Sequence, residues 1–157
     1  MKTFKLLTRL FGLFLIASFM LIPLRGTAQD AVVIHLKGLN NMTYDRPNIT
    51  VKPGQKVTIK LTNTTQFEPW QMSNNFVLLK QTVDIKKFIQ ACIKYAHNDY
   101  IAPGYEDQII AHTAMAAGGE TVEVTFIAPK RPSKYMFVCT FPGHFLAGMK
   151  GTLTVEE

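Results

Sequence analysis

Tyr135-Met136-Phe137-Val138-Cys139-Thr140-Phe141-Pro142-Gly143-His144-Phe145-Leu146-Ala147-Gly148-Met149-Lys150-Gly151-Thr152-Leu153-Thr154-Val155 decides how this chain is read. Its two ends are rich in Val, Phe, Leu and Thr, as strands are. Between them Pro142-Gly143 signals a turn, and three metal-binding side chains follow in the order Cys-x4-His-x4-Met. The segment is therefore a strand, a tight loop and a second strand, with a thiolate, an imidazole and a thioether on the loop. A soft thiolate with imidazole and a distant thioether is the donor set of a type 1 copper site. Each residue alone has a commoner use: Met149 as core filler, His144 as a loop histidine, Cys139 as a buried apolar residue or half a disulfide. Three matched donors on one loop make the metal site the stronger reading. A rigid scaffold behind such a loop limits rearrangement when copper changes oxidation state.

Working outward, similar short segments recur upstream. Residues 31–37 form the first, and 49–51 lead through Lys52-Pro53-Gly54-Gln55 into 56–62, where Val57, Ile59 and Leu61 alternate with polar neighbours. Residues 75–79 and 121–127 complete the set with the two flanking the loop. Period-two alternation broken by Gly, Pro and Asn predicts an all-β, antiparallel Greek-key sandwich of eight or nearly eight strands. Residues 83–98 break the pattern: Phe88, Ile89, Cys92, Ile93 and Ala96 follow helical spacing, with Lys86, Lys87 and Lys94 among the polar positions. This reads as a helical flap inserted between strands. Cys92 on its apolar face behaves as a small hydrophobe, and a bridge to Cys139 would abolish the metal site.

The chain begins with Lys2 and Lys5, then Arg9, an apolar run from Leu10 to Leu24, and small residues at Gly26-Thr27-Ala28. That layout predicts a secretory signal over residues 1–28, removed to leave a domain over 29–157. The run is shorter than the roughly 20 residues of a spanning helix, so a permanent anchor is the weaker alternative. Four of the 17 basic residues (Lys2, Lys5, Arg9, Arg25) and no acidic one lie in this segment, so the balance of the remainder falls from +6 to near +2. Nucleic-acid binding, which needs clustered Lys and Arg, loses its support. Hydrolytic chemistry is also unsupported, since no nucleophile–base pair, phosphate loop or carboxylate pair stands at the loop.

Residues 135–144 and 149–154 resemble the C-terminal strand-loop-strand of cupredoxins of the azurin and auracyanin kind. The spacing from His144 to Met149 is one residue longer than in azurins and matches the auracyanins better. The likeness extends to Ile110-Ala111-His112-Thr113, Asn48-Ile49-Thr50-Val51 and Met72-Ser73-Asn74-Asn75-Phe76-Val77-Leu78. The resemblance implies a cupredoxin fold, one copper ion (Cu+/Cu2+) and one-electron transfer in the periplasm rather than enzyme activity. It also implies redox protein partners docking at an apolar patch around the edge of His144, with Phe141, Pro142, Phe145, Leu146 and Ala147 as the rim. The mature form would be soluble or membrane-peripheral.

One departure stands out. Where the family's run carries a ligand histidine, this chain has Asn74, so the implied ligand set is Cys139, His144, Met149 and, in the fourth place, Asn74. Asn75 matches the asparagine that ties the two ligand-bearing loops together, and Ser73 replaces a glycine. An amide oxygen is a harder and weaker donor than imidazole, while Cys, His and Met tolerate Cu(I) better. Three outcomes follow: an electron carrier with a weakened fourth position, a Cu(I) carrier or chaperone, or a copper-free interaction module. Among other histidines, His35 points to solvent by its alternation, His112 matches a histidine outside the family's site, and His97 at the flap's end is the one plausible recruit.

Overall fold

Strand β1 (Val32–Gly38) buries Ile34, Leu36 and Gly38 and exposes Val33, His35 and Lys37, so period-two alternation fixes which face meets the core. The computed structural model describes residues 30–157; the expected export segment 1–28 lies outside the described residues. β2 (Asn48–Val51), β3 (Lys56–Asn63), β4 (Val77–Leu79), β5 (Ile109–His112), β6 (Thr121–Ile127), β7 (Ser133–Val138) and β8 (Lys150–Val155) follow, with helix α1 (Ile85–Cys92) between β4 and β5 and a one-turn helix α2 (His144–Ala147) between β7 and β8.

The strands form a three-stranded sheet, β1-β3-β6, facing a five-stranded sheet, β2-β8-β7-β4-β5. Two pairings differ from the antiparallel expectation: β1 with β3 and β2 with β8 run parallel. The reason is connectivity. The chain passes from one sheet to the other between β1 and β2 and back again before β3, so β3 arrives beside β1 in the same direction. Ile34, Leu36, Ile59, Leu61, Phe76, Phe137 and Leu153 interlock between the sheets. Full burial of each such side chain contributes about 1.5–3 kcal/mol.

Strand β4 does not alternate; Val77, Leu78 and Leu79 are all buried. Leu78 joins the sandwich core, whereas Val77 and Leu79 meet Phe88 and Cys92 of α1, with Val83, Ile101 and Ala102, in a second cluster. The flap thus covers the outer face of the larger sheet. It is shorter than the 83–98 expected from spacing. Asp84 caps α1, its side chain accepting from Lys87 N, and the helix gives way after Cys92 to a separate 3-10 turn, Ala96–Asn98. The buried stripe ends there: Ile93 is exposed, and the 3-10-type bond from Tyr95 N to Cys92 O tightens the chain. β5 carries no alternation, being four residues long with Ala111 its one fully buried member. Among the described residues no helix is long and apolar enough to cross a membrane.

Candidate metal centre

Cys139 follows directly on β7 and Met149 directly precedes β8. Cys139 N donates to Met149 O at 3.1 Å, continuing the β7–β8 ladder by one bond and closing the loop at its base. The sequence folds back within this span because Gly148 adopts φ +115°, a conformation open to glycine and strained for other residues. There its N–H donates to His144 O and Phe145 O, while Met149 N also donates to His144 O at 2.9 Å. His144 is thereby turned inward, and its Nδ1 lies 3.5 Å from Cys139 Sγ.

The facing loop is held as firmly. Asn74 exchanges both backbone bonds with Ala116, at 3.0 and 2.8 Å, and buried Asn63 donates from Nδ2 to Met72 O and Ala116 O. The Asn74 side chain is 0 % exposed, yet neither Oδ1 nor Nδ2 has a hydrogen-bond partner. Its amide abuts the end of β1: a Cβ on Gly38 would overlap Asn74 Nδ2 and stand 3.0 Å from Met149 Cε. Gly38 is therefore required by close approach, and it brings Asn74 and Met149 to one spot.

Asn75 joins the two loops. Its Oδ1 accepts from Thr140 N at 2.9 Å, and its Nδ2 donates to Thr140 Oγ1 at 2.8 Å and to Asp99 O at 3.0 Å. Tyr44 donates from its hydroxyl to Asn75 O and packs on Phe137 at 5.3 Å between centroids. Asp99 and Tyr100 both have positive φ (50° and 53°), so the end of the flap is held in a strained turn against this network.

Burial sets the protonation states. It pushes the Cys139 thiol up to about 12, partly offset by the backbone N–H groups of Asn75 and Phe141, and it lowers His144 to about 4. At neutral pH the site thus holds a thiol beside a neutral imidazole. A cation must displace the thiol proton to bind, and once bound it supplies the charge that stabilises the thiolate.

The donors fit a soft or borderline cation: thiol, imidazole and thioether at one end of the sandwich, with an unpartnered buried amide from the neighbouring loop. Among the described residues no group of three or more His, Cys, Asp or Glu side chains gathers, so no second imidazole joins Cys139 and His144. His97 is exposed and lies against Tyr95 at 5.9 Å, and His35 and His112 are exposed on strands. Cys92 and Cys139 are both free thiols. The expected apolar rim differs in one member. Phe141 is buried, packed between Tyr100 (5.3 Å) and His144 (4.7 Å). His144 itself is only 2 % exposed, whereas Leu146 is 85 % exposed. Gly38, Tyr44 and Asp99 escaped the reading of the sequence. Only Gly38, a glycine ending an alternating strand, carried a signal.

An eight-stranded two-sheet sandwich with a Cys-His-Met loop closing its last hairpin defines a cupredoxin. The sequence profile of the copper-binding proteins of the plastocyanin/azurin family matches residues 31–156, and the chain belongs to that family, one of copper-binding electron carriers rather than enzymes. Auracyanin-A of Chloroflexus aurantiacus is 32% identical over 132 residues, covering 83% of this chain and 77% of its own length. The azurin of Alcaligenes faecalis is 32% identical over 123 residues, covering 76% and 94%. The solved structure of auracyanin A, a "blue" copper protein, superposes with a TM-score of 0.73 at 31% identity, covering 81% of this chain and 100% of that one.

Proposed function

We propose that this protein is an exported, periplasmic one-electron carrier that holds one copper ion with Cys139, His144 and Met149, Asn74 facing them in the place of a second imidazole. The observation that carries this reading is the Asn74 amide, fully buried beside Met149 with both polar atoms unpartnered. An orphaned buried amide costs stability, and it is explained by a ligand that the donors beside it suit. Copper would supply reversible Cu(I)/Cu(II) chemistry. The chain's residues do the rest. Cys139 would give up its proton from Sγ on loading, and His144, held neutral by burial, would present its imidazole beside that sulfur. The Asn75–Thr140–Asp99 bonds keep the two loops at fixed separation, as a low-rearrangement electron carrier needs.

A Cu(I) carrier is the second reading, favoured by one observation: among the described residues no second histidine joins Cys139 and His144. Two sulfurs and one imidazole suit Cu(I) better than Cu(II). Titration of the reduced protein with Cu(I) and Cu(II), followed by visible absorption and EPR, separates the two. The electron carrier binds one equivalent in both states and cycles with a mild oxidant. The carrier holds Cu(I) and loses metal on oxidation. A protein that binds neither is a copper-free interaction module, and a Cys139→Ser variant that binds as well as the wild type removes the site altogether.

A further inference from the structure

A groove of about 320 Å³ runs between α1 and the metal loop, lined by Lys86, Ile89, Gln90, Phe145 and Leu146. It shares Phe145 and Leu146 with the rim expected around His144, but its other wall is helix α1, and the His144 ring itself is buried. Its floor is apolar: Ile89 and Phe145 are half-buried, and Leu146 stands almost fully exposed. Ile93, one turn beyond Ile89 and exposed, extends the same strip along α1. The charged groups placed at it are cations. Lys86 lines one wall, and Lys150 Nζ sits 5.0 Å from the centre of the Phe145 ring on the other. Among the described residues neither lysine has a carboxylate within ion-pair distance; the nearby Asp84 is paired with Lys87.

An apolar strip between two uncompensated ammonium groups selects its occupant by charge. We propose that the groove is the docking site for the acidic face of a redox protein, one that inserts an apolar side chain between α1 and Phe145 with its carboxylates over Lys86 and Lys150. The redox nature of that partner rests on the electron-carrier reading above. Charge complementarity decides the sign of the partner and quickens encounter, and the apolar contact supplies the hold. The groove is small, which suits a weak, transient complex. Phe145 adjoins His144 in the chain, so a partner seated here lies one residue from the proposed metal centre.

The test uses metal-free protein, so that its failure is separable from failure of copper binding. Amide NMR spectra are recorded with two synthetic peptides sharing a central Leu-Phe, one flanked by Asp and Glu and the other by Lys. The acidic peptide is expected to shift the amides of Ile89, Gln90, Phe145 and Leu146 saturably, and the basic peptide to leave them in place. Binding should weaken several-fold between about 20 and 200 mM salt, and roughly fivefold in Lys86→Glu, an exposed change that should leave the fold intact. Lys150→Gln serves as a second, milder variant. Equal response to both peptides, shifts centred elsewhere, or no saturable shift each overturn the proposal. So does binding to anionic phosphatidylglycerol vesicles through these same amides with no response to the acidic peptide, which would make the groove a membrane contact. Docking that persists in a protein unable to bind copper would leave the surface standing and refute the electron-carrier reading instead.

Discussion

Replacing Asn74 by leucine should make the metal-free protein more stable, a reversal of the usual effect of a core substitution. Two buried polar atoms, Oδ1 and Nδ2, have no partner, and leaving a buried group unsatisfied costs about 1–3 kcal/mol. Leucine removes both and adds apolar surface next to Met149. Against this stands crowding: the Asn74 amide already abuts Gly38 and Met149 Cε, and excess volume in a packed site takes back about 1 kcal/mol. The net expectation is a gain of about 1–2 kcal/mol, or roughly 4–7 °C in Tm for a domain of this size. Thermal and urea unfolding of chelated, reduced protein measure it, with an unchanged urea slope as the sign that only stability has moved. A variant less stable than wild type by about 1 kcal/mol or more would mean that the amide is hydrogen-bonded in solution, and the inference that it awaits a ligand would fail.

Three further outcomes follow from the same geometry. Gly38→Ala places a Cβ against Asn74 and Met149, so it should destabilise the protein by about 1–3 kcal/mol and weaken copper uptake, read by unfolding and chelator competition; a neutral substitution would show that the loops are loosely held. Asn75→Ala removes the bonds to Thr140 and Asp99 and should cost about 2–4 kcal/mol, with faster hydrogen exchange at Thr140 as the local sign. The metal-free protein should be most stable between about pH 6.5 and 9. As pH falls from 6.5 towards 4 the unfolded chain takes up a proton that buried His144 refuses, and as pH rises from 9 towards 12 it loses one that Cys139 keeps. Stability that keeps rising below pH 6 would contradict the burial of His144.

What was legible in the sequence had a short-range cause. Alternation in β1, β3 and β8 shows in the residues because each of these strands buries one face. The donors of the metal loop were legible because they share one hairpin, where spacing along the chain is spacing in the structure. β4 was harder, since α1 buries its second face and removes the alternation. The parallel pairings of β1 and β2 depend on which sheet the chain enters next, which no window of sequence records. The same is true of Tyr44 and Asp99, and of what Gly38 meets. Each meets the site through a contact between segments distant in the chain, and only the fold brings them there.

The central claim is that this is a copper centre lacking one imidazole at Asn74, and the Asn74→His variant tests it most directly. Visible absorption and EPR are recorded on wild type and variant, each loaded with one equivalent of Cu(II) under identical conditions. A weak or altered blue band is expected in the wild type and an intense one in the variant, because the new nitrogen donor would complete the donor set beside the Cys139 thiolate. An intense blue band in the wild type, unchanged in the variant, would show that position 74 takes no part in the site. A variant that stays colourless with Cu(II) would show that Cys139, His144 and Met149 do not form the type 1 Cu(II) centre of an electron carrier.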